Sequence, residues 1–409
     1  MSEWLNRGIR AGLYLLAVSL PISITGAQIA LALLILLFAV RAAQARRIPR
    51  PSEPVGWLIV ALVFWVVAAA PFSLDVKITF PRLAKYWIWF TYFVVLAAFE
   101  DRRAAMRALW LVLGCMGIVA VYGIAQHLFG DAVPRYLAPS VRLWQKTGGY
   151  YHAVGMFDHH LTYGNSLIIS IMLGIGLWFA LRDARRRAIL GLILILALLA
   201  LLWTYARSAW AGLLAGLLIF GALKGKRALF GALAAMIVIA IVAAQISPTI
   251  RDRLHRGMTS QQNLERIYTW KTTLDMIRDH PLTGIGPGLY QPLTATYRAG
   301  YNIHWTARSH AHNSYLQIAA ESGIPAGLLF GSLLAALFAF GAARHRDIKD
   351  QPARRDLLAG TVGAVAAFAA SSLLQHNAGD AEVCMMFQFA AALLVFLARE
   401  KTENEHGVE

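Results

Sequence analysis

Read only as apolar and polar positions, the chain is a succession of apolar runs, each close to the roughly 20 residues that cross a bilayer as a helix, parted by short polar connections. Twelve runs predict twelve spans, centred near residues 16, 33, 63, 91, 116, 171, 195, 216, 237, 333, 367 and 389. One connection is long, from about 247 to 312, and a connection of that length is usually functional or disordered. Disorder does not fit it, because LERIYTWKTTLDMI (264–277) carries apolar residues at helical spacing: Leu264, Ile267, Trp270, Leu274 and Ile277. HPLTGIGPGLYQP (280–292) follows with the Pro and Gly of tight turns. The pattern therefore divides the chain into helices 1–9 (1–246), a partly helical loop (247–322), helices 10–12 (323–400) and a polar tail (401–409). The class is an all-α integral membrane protein of about 12 transmembrane helices. Arg7 and Arg10 precede the first run as in a secretory signal, yet a second run follows without a convincing cleavage site, so an uncleaved hairpin turning near Pro21 is expected.

Composition agrees with the pattern: 58% of the 409 residues are hydrophobic and 15% charged, against roughly a quarter charged in soluble domains. Cys115 and Cys384 lie within apolar runs, where neither a disulfide nor a metal site is expected. The net charge of +16 changes the picture through its distribution. Alternating the connections from an inner N-terminus puts basic residues on every inner one. These are Arg7 and Arg10; Arg41, Arg46, Arg47 and Arg50; Arg102, Arg103 and Arg107; Arg182, Arg185, Arg186 and Arg187; Lys224, Lys226 and Arg227; Arg344, Arg346, Lys349, Arg354 and Arg355; and Arg399 with Lys401. That bias sets both termini in the cytoplasm and accounts for most of the excess by orientation, with no nucleic-acid partner implied. It leaves eight basic residues on the long outer connection, Arg251, Arg253, Arg256, Arg266, Lys271, Arg278, Arg298 and Arg308, against Asp252, Glu265, Asp275 and Asp279.

Three positions combine outer placement with usable chemistry. Arg207, in WTYARSAWAG, sits in a connection too short to let it leave the membrane edge. It reads either as an interfacial snorkelling arginine or as a partner for phosphate oxygen. Arg266 lies next to the apolar stripe of the loop helix, so the face that docks on the bundle would carry it inward, whereas Lys271 and Arg278 suit a solvated face. In RSHAHNSYLQIAAESGIPAG (308–327), Ser314 and Gln317 form a capping-box pattern that predicts a short helix from Tyr315 to Gly323, with Pro325 beyond. His312 then precedes a helix N-terminus, whose partial positive charge disfavours imidazolium and suits it to accept a proton, while His310 reads as support. The rival use of these histidines, or of His152, His159 and His160, is as metal ligands. No H-E-x-x-H or D-x-D pattern accompanies them, the nearest acids being Asp380 and Glu382 in QHNAGDAEV.

Taken together, the arginine of the ARSAW turn, the loop sequence E-R…W…D-H-P-L-T-G-I-G-P-G and the stretch H-N-S-Y-L…E-S-G-I-P-A-G resemble the O-antigen ligases. Their wider group includes O-antigen polymerases and protein O-oligosaccharyltransferases. The motifs cover roughly residues 150 to 330, and the span layout covers the whole chain. One departure is Ala211, which stands where some ligases have the leucine of R-x-x-x-L. The resemblance implies a GT-C-like glycosyltransferase of the bacterial inner membrane. It would transfer glycan from undecaprenyl pyrophosphate to a sugar hydroxyl of lipid A-core at the periplasmic face, by inversion and without a metal or other cofactor. On that reading His312 is the general base, and Arg207 and Arg266 bind the donor pyrophosphate. Lys77, Arg82, Lys85, Arg308, His159 and Asp380 form a second tier. A polymerase or a protein glycosyltransferase would share the donor site. A transporter of anionic lipid is the reading of another class, against which stand the nearly uncharged spans and the absence of a repeat between halves.

Overall fold

The computed structural model describes residues 3–46, 51, 53–133, 151–225, 227, 230, 231, 234, 261–301 and 309–400. The predicted span centred near residue 237, Arg251, Arg253, Arg256, Arg308 and the tail from 401 lie outside these residues. The regular structure among the described residues is helical. Helix α1 (Glu3–Ile22) and α2 (Ile24–Ala45) form the expected hairpin, the turn closed by Ser23, whose hydroxyl accepts the Gly26 N–H at 3.2 Å. Then come α3 (Pro54–Ala69), α4 (Val76–Leu83), α5 (Thr91–Ala98) and α6 (Arg102–Phe129). The run centred near 91 is thus not one helix. Asp75 caps a new helix through the N–H groups of Lys77 and Ile78, Pro81 sits inside it, and a 3₁₀ stretch, Ala84–Phe90, links it to α5.

The remaining helices are α7 (His160–Ala180), α8 (Ala184–Thr204), α9 (Arg207–Lys224), α10 (Gln261–Asp279), α11 (Tyr290–Arg298), α12 (Ser314–Asp347), α13 (Pro352–Ser371) and α14 (Ala381–Arg399). Among the described residues, eight helices are long and apolar enough to cross a membrane, and the chain is a multi-pass membrane protein.

Helix α13 is the hub, packed against α7 and α9. In lipid no water is released when helices meet, so association rests on close backbone approach through small residues. Gly360 of α13 meets Gly176 of α7 so closely that a Cβ on Gly360 would lie 2.6 Å from the Gly176 Cα. The far end of the bundle is pinned by charge. Lys224 pairs with Asp356 at 2.6 Å, Arg10 with Glu100 at 2.7 Å, and Arg399 with Glu53, while Arg354 Nε donates to the Leu397 carbonyl at 2.7 Å. The opposite end, where α8 and α13 stop and α7, α9, α12 and α14 start, is left to the polar loops.

Candidate active site

His312 occupies that end, half-buried, with a left-handed backbone (φ 51°). The helix it precedes is capped one residue earlier than the capping box predicts. Asn313, not Ser314, is the N-cap, accepting the Leu316 N–H at 3.0 Å. Ser314 and Gln317 are drawn into tertiary contacts instead: Ser314 Oγ donates to the Gln375 carbonyl at 3.1 Å, and Gln317 Oε1 accepts the Ala311 N–H at 2.7 Å. A hydroxyl and an amide already engaged across the fold cannot also close a reciprocal cap. The imidazole is held by a residue that sequence reasoning did not single out. His312 Nδ1 and Gln375 Oε1 are 2.9 Å apart. An amide oxygen only accepts, so Nδ1 carries the hydrogen and Nε2 is the basic nitrogen.

The turn bearing Gln375 is locked to the start of α12. The Ser314 N–H donates to the Ser372 carbonyl at 2.8 Å, and Asn377 Nδ2 donates to Ser371 Oγ at 2.6 Å. Beside it His376 is pushed down to about 4, first by burial and then by His312 and Lys85, so it is neutral at pH 7. The signal for Gln375 and His376 was the polar cluster Q-H-N-x-x-D between two apolar runs.

The H-P-L-T-G-I-G-P-G turn has a structural task. Helix α12 breaks at Gly323 (φ 86°, ψ 163°), where a side chain would collide with the Leu282 carbonyl. The break, with Pro325 beyond it, deprives the Ala320, Glu321 and Ser322 carbonyls of their helical donors. Ile285 N and Gly286 N take the first two at 2.9 and 3.0 Å, and Trp65 Nε1 takes the third at 3.0 Å. The predicted end of a short helix at Gly323 is therefore a kink inside one long helix, and the glycine-rich turn fills it.

That docking brings in α10, but by another face than its apolar stripe suggests. Leu264, Ile267 and Leu274 are exposed, whereas Thr269, Thr272, Thr273 and Met276 are buried. Two of the threonine hydroxyls bond within the fold, Thr269 to the Glu265 carbonyl and Thr273 to Tyr290 Oη. Arg266 shares the docked face at i, i+3 and i+7 with Thr269 and Thr273. One turn along, Trp270 Nε1 donates to the Ala311 carbonyl at 3.0 Å, fastening this helix to the residue before His312. Lys271 and Arg278 are exposed, as expected.

Arg207 is the first residue of α9, half-buried and following Tyr205, whose backbone is left-handed (φ 55°). His152 and His160 both bond the Thr204 carbonyl through Nδ1, at 3.1 and 2.8 Å, bracing this turn. The structure brings the two predicted arginines together. The Arg266 guanidinium pKa is lowered by burial and then by the charge of Arg207. Two repelling cations, one at a helix N-terminus, are an arrangement that can receive an anion.

The second tier is divided. Lys77 is exposed and does not line the site's cavity, which Arg82, Lys85 and Asp380 do. His159 caps α7, accepting the Leu161 N–H at 3.1 Å, and its pKa is lowered by burial. Asp380 accepts from Thr162 Oγ1 at 3.1 Å and is pushed up to about 7 by burial and then by Glu382. Among the described residues, no three His, Cys, Asp or Glu side chains are grouped to hold a metal ion. His310, read from sequence as support, lines the cavity and accepts the His312 N–H on Nδ1 at 3.2 Å.

Residues 192–331 match the family profile described as O-Antigen ligase, a stretch running from α8 into α12 that includes Arg207, Arg266 and His312. No curated protein matches the chain. The family match covers the region that builds the site, and over that region the chain is similar to the O-antigen ligase family.

Proposed function

We propose that this protein is an O-antigen ligase of the bacterial inner membrane. It transfers glycan from undecaprenyl pyrophosphate to a sugar hydroxyl of lipid A-core, with both termini cytoplasmic and the site at the periplasmic face. The observation that carries the reading is the pairing of two like charges, Arg207 and Arg266, the second on a helix fastened to the histidine loop. Breaking a sugar to diphosphate bond leaves negative charge on the departing group, and catalysis lies in stabilising that charge as it develops. Two arginines do so with fixed donor forks and no divalent ion.

The steps balance as a single displacement. The acceptor hydroxyl oxygen attacks the anomeric carbon, and its proton passes to His312 Nε2. The carbon to oxygen bond of the leaving group breaks with its electron pair going to the diphosphate, held by Arg207 and Arg266, so the anomeric configuration inverts. The hydrogen bond from Nδ1 to Gln375 keeps the reacting nitrogen basic, and base catalysis of this kind contributes roughly 10² to 10⁴ in rate.

The test is transfer by purified protein from the lipid-linked donor to lipid A-core in detergent, with a chelator present. Wild-type protein should form capped product, and His312→Ala should lose about 10² or more while remaining monodisperse. Substantial transfer by His312→Ala removes the base assignment. Activity lost in chelator and restored only by a divalent metal removes the two-arginine assignment. If glycan is joined instead to a second lipid-linked glycan or to protein serine, the ligase reading fails and a sister activity replaces it.

A further inference from the structure

Next to the histidine loop lies a cavity of about 290 Å³, walled by Arg82 and Lys85 on one side and by Gln291, His310, His376 and Asp380 on the others. The sequence suggests its two cations are extra phosphate contacts. The geometry says otherwise, because the cavity contains its own counter-charges. Lys85 lies close enough to Glu321, Asp380 and His376 to act electrostatically on each, and Glu321 lines the same space. The contrast is with Arg207 and Arg266, which repel one another and do not line the cavity. A second diphosphate would meet carboxyl groups here. A ring bearing many hydroxyls would meet alternating donors and acceptors, with the half-buried Tyr86 and the buried Trp89 as apolar walls.

We infer that this cavity is the subsite for the acceptor's terminal sugar, a neutral hydroxyl-rich ring, which it holds against the histidine pair. The inference rests on the glycosyl-transfer reading above. Its volume is at the small end of ligand pockets, suited to a sugar or two and not to a glycan chain. Its location selects the acceptor. The His310 ring on its wall is 4.3 Å from the His312 ring, centroid to centroid. His310 uses Nδ1 to accept the His312 N–H, which fixes the ring on the cavity wall relative to the base. A hydroxyl bound there is within reach of the base, while the donor's diphosphate lies with the arginine pair. Arg82 and Lys85 are thereby reassigned from phosphate contacts to acceptor-binding groups.

Two measurements separate this inference from the transfer reaction itself. Binding of lipid A-core micelles to the His312→Ala protein requires no turnover. It should be retained in His312→Ala, and weakened about tenfold or more when Gln291→Trp, which fills the cavity, is added, or when Lys85→Gln strips one polar wall. In turnover, Gln291→Trp and Lys85→Gln in the otherwise wild-type chain should raise the acceptor KM by a similar factor and leave the donor KM within about twofold. Inorganic pyrophosphate should compete with the donor and not with the acceptor. Unchanged acceptor binding in both cavity variants overturns the inference, and so does a rise in donor KM with acceptor KM unmoved. A wild-type protein that binds lipid A-core through this cavity yet transfers nothing would instead overturn the proposed function alone.

Discussion

Gln375 offers a test of the base that does not remove the base. Gln375→Leu keeps most of the bulk of the side chain and deletes the oxygen that accepts the 2.9 Å bond from His312 Nδ1. Gln375 is 4% exposed, so bulk water does not step in, and a buried donor left without its acceptor costs about 1–3 kcal/mol. At about 1.36 kcal/mol per decade, transfer should fall by about 5- to 150-fold if the penalty falls on the tautomer that reacts. Gln375→Glu perturbs the same bond in the opposite sense. A carboxylate at that distance favours imidazolium and raises a histidine pKa by about 1–3 units. A general base works only when unprotonated, so the acid limb of the kcat/KM profile should move up by a similar amount, with activity recovering at high pH. The assay is transfer by purified protein from pH 5.5 to 9.5, with chain integrity followed by gel filtration. Gln375→Leu within twofold of wild type, or a Gln375→Glu profile that superimposes on wild type, would refute the tautomer argument, because a merely structural glutamine would not move the limb.

Other consequences are less involved. Arg207→Lys and Arg266→Lys should each lower kcat by about 10² to 10³ despite keeping the charge, since an ammonium does not reproduce the two-pronged contact; near-normal single-turnover rates in both would count against diphosphate binding there. Gly360→Leu should abolish recovery of folded protein in detergent, because its Cβ would stand 2.6 Å from the Gly176 Cα at the contact between α7 and α13, and a monodisperse variant with wild-type melting would contradict the packing argument. Asp380 is pushed up to about 7, so from about pH 4, where an unfolded carboxyl ionises, up to about 7 the folded chain retains a proton that the unfolded chain has released. Stability is therefore lost as pH rises through that window. Asp380→Asn should gain in melting temperature over wild type progressively from pH 4 to 7 and no further above it, and a gain independent of pH would exclude the linkage.

The bundle was legible because its helices are written locally: an apolar run, a cap such as Asp101 or Asp183 accepting from the third residue on, and a basic connection. Legibility failed where local rules compete with partners far along the chain. The stripe on α10 misled because periodicity assumes that apolar residues face the core. Thr272 and Thr273 are fully buried while Leu274 is 52% exposed, and a threonine can be buried at little cost when its hydroxyl bonds a carbonyl one turn back, as Thr273 does with Thr269 at 2.6 Å. The capping box misled for the related reason that Ser314 had a better offer from the turn at 375. The partner of His312 lies 63 residues downstream, a separation that no short motif spans.

The backbone of His312 argues that the loop is built around this residue and not merely tolerant of it. A non-glycine residue in the left-handed region costs about 1–2 kcal/mol, and such strain persists only where the surroundings over-determine it. Here four of the surrounding groups are committed. The His312 N–H is taken by His310 Nδ1, the Ala311 N–H by Gln317, the Ala311 carbonyl by Trp270, and the imidazole by Gln375. The bonds from Trp270 and Gln375 come from distant stretches of chain, and the one from Trp270 belongs to the helix that carries Arg266. Glycine in place of His312 would relieve the backbone yet lose the imidazole, so a loop under selection for stability alone would not keep histidine there. On the proposed function, the arrangement gives up local stability to tie a basic nitrogen to the helix that carries Arg266, as a proton transfer timed to the departure of a diphosphate requires.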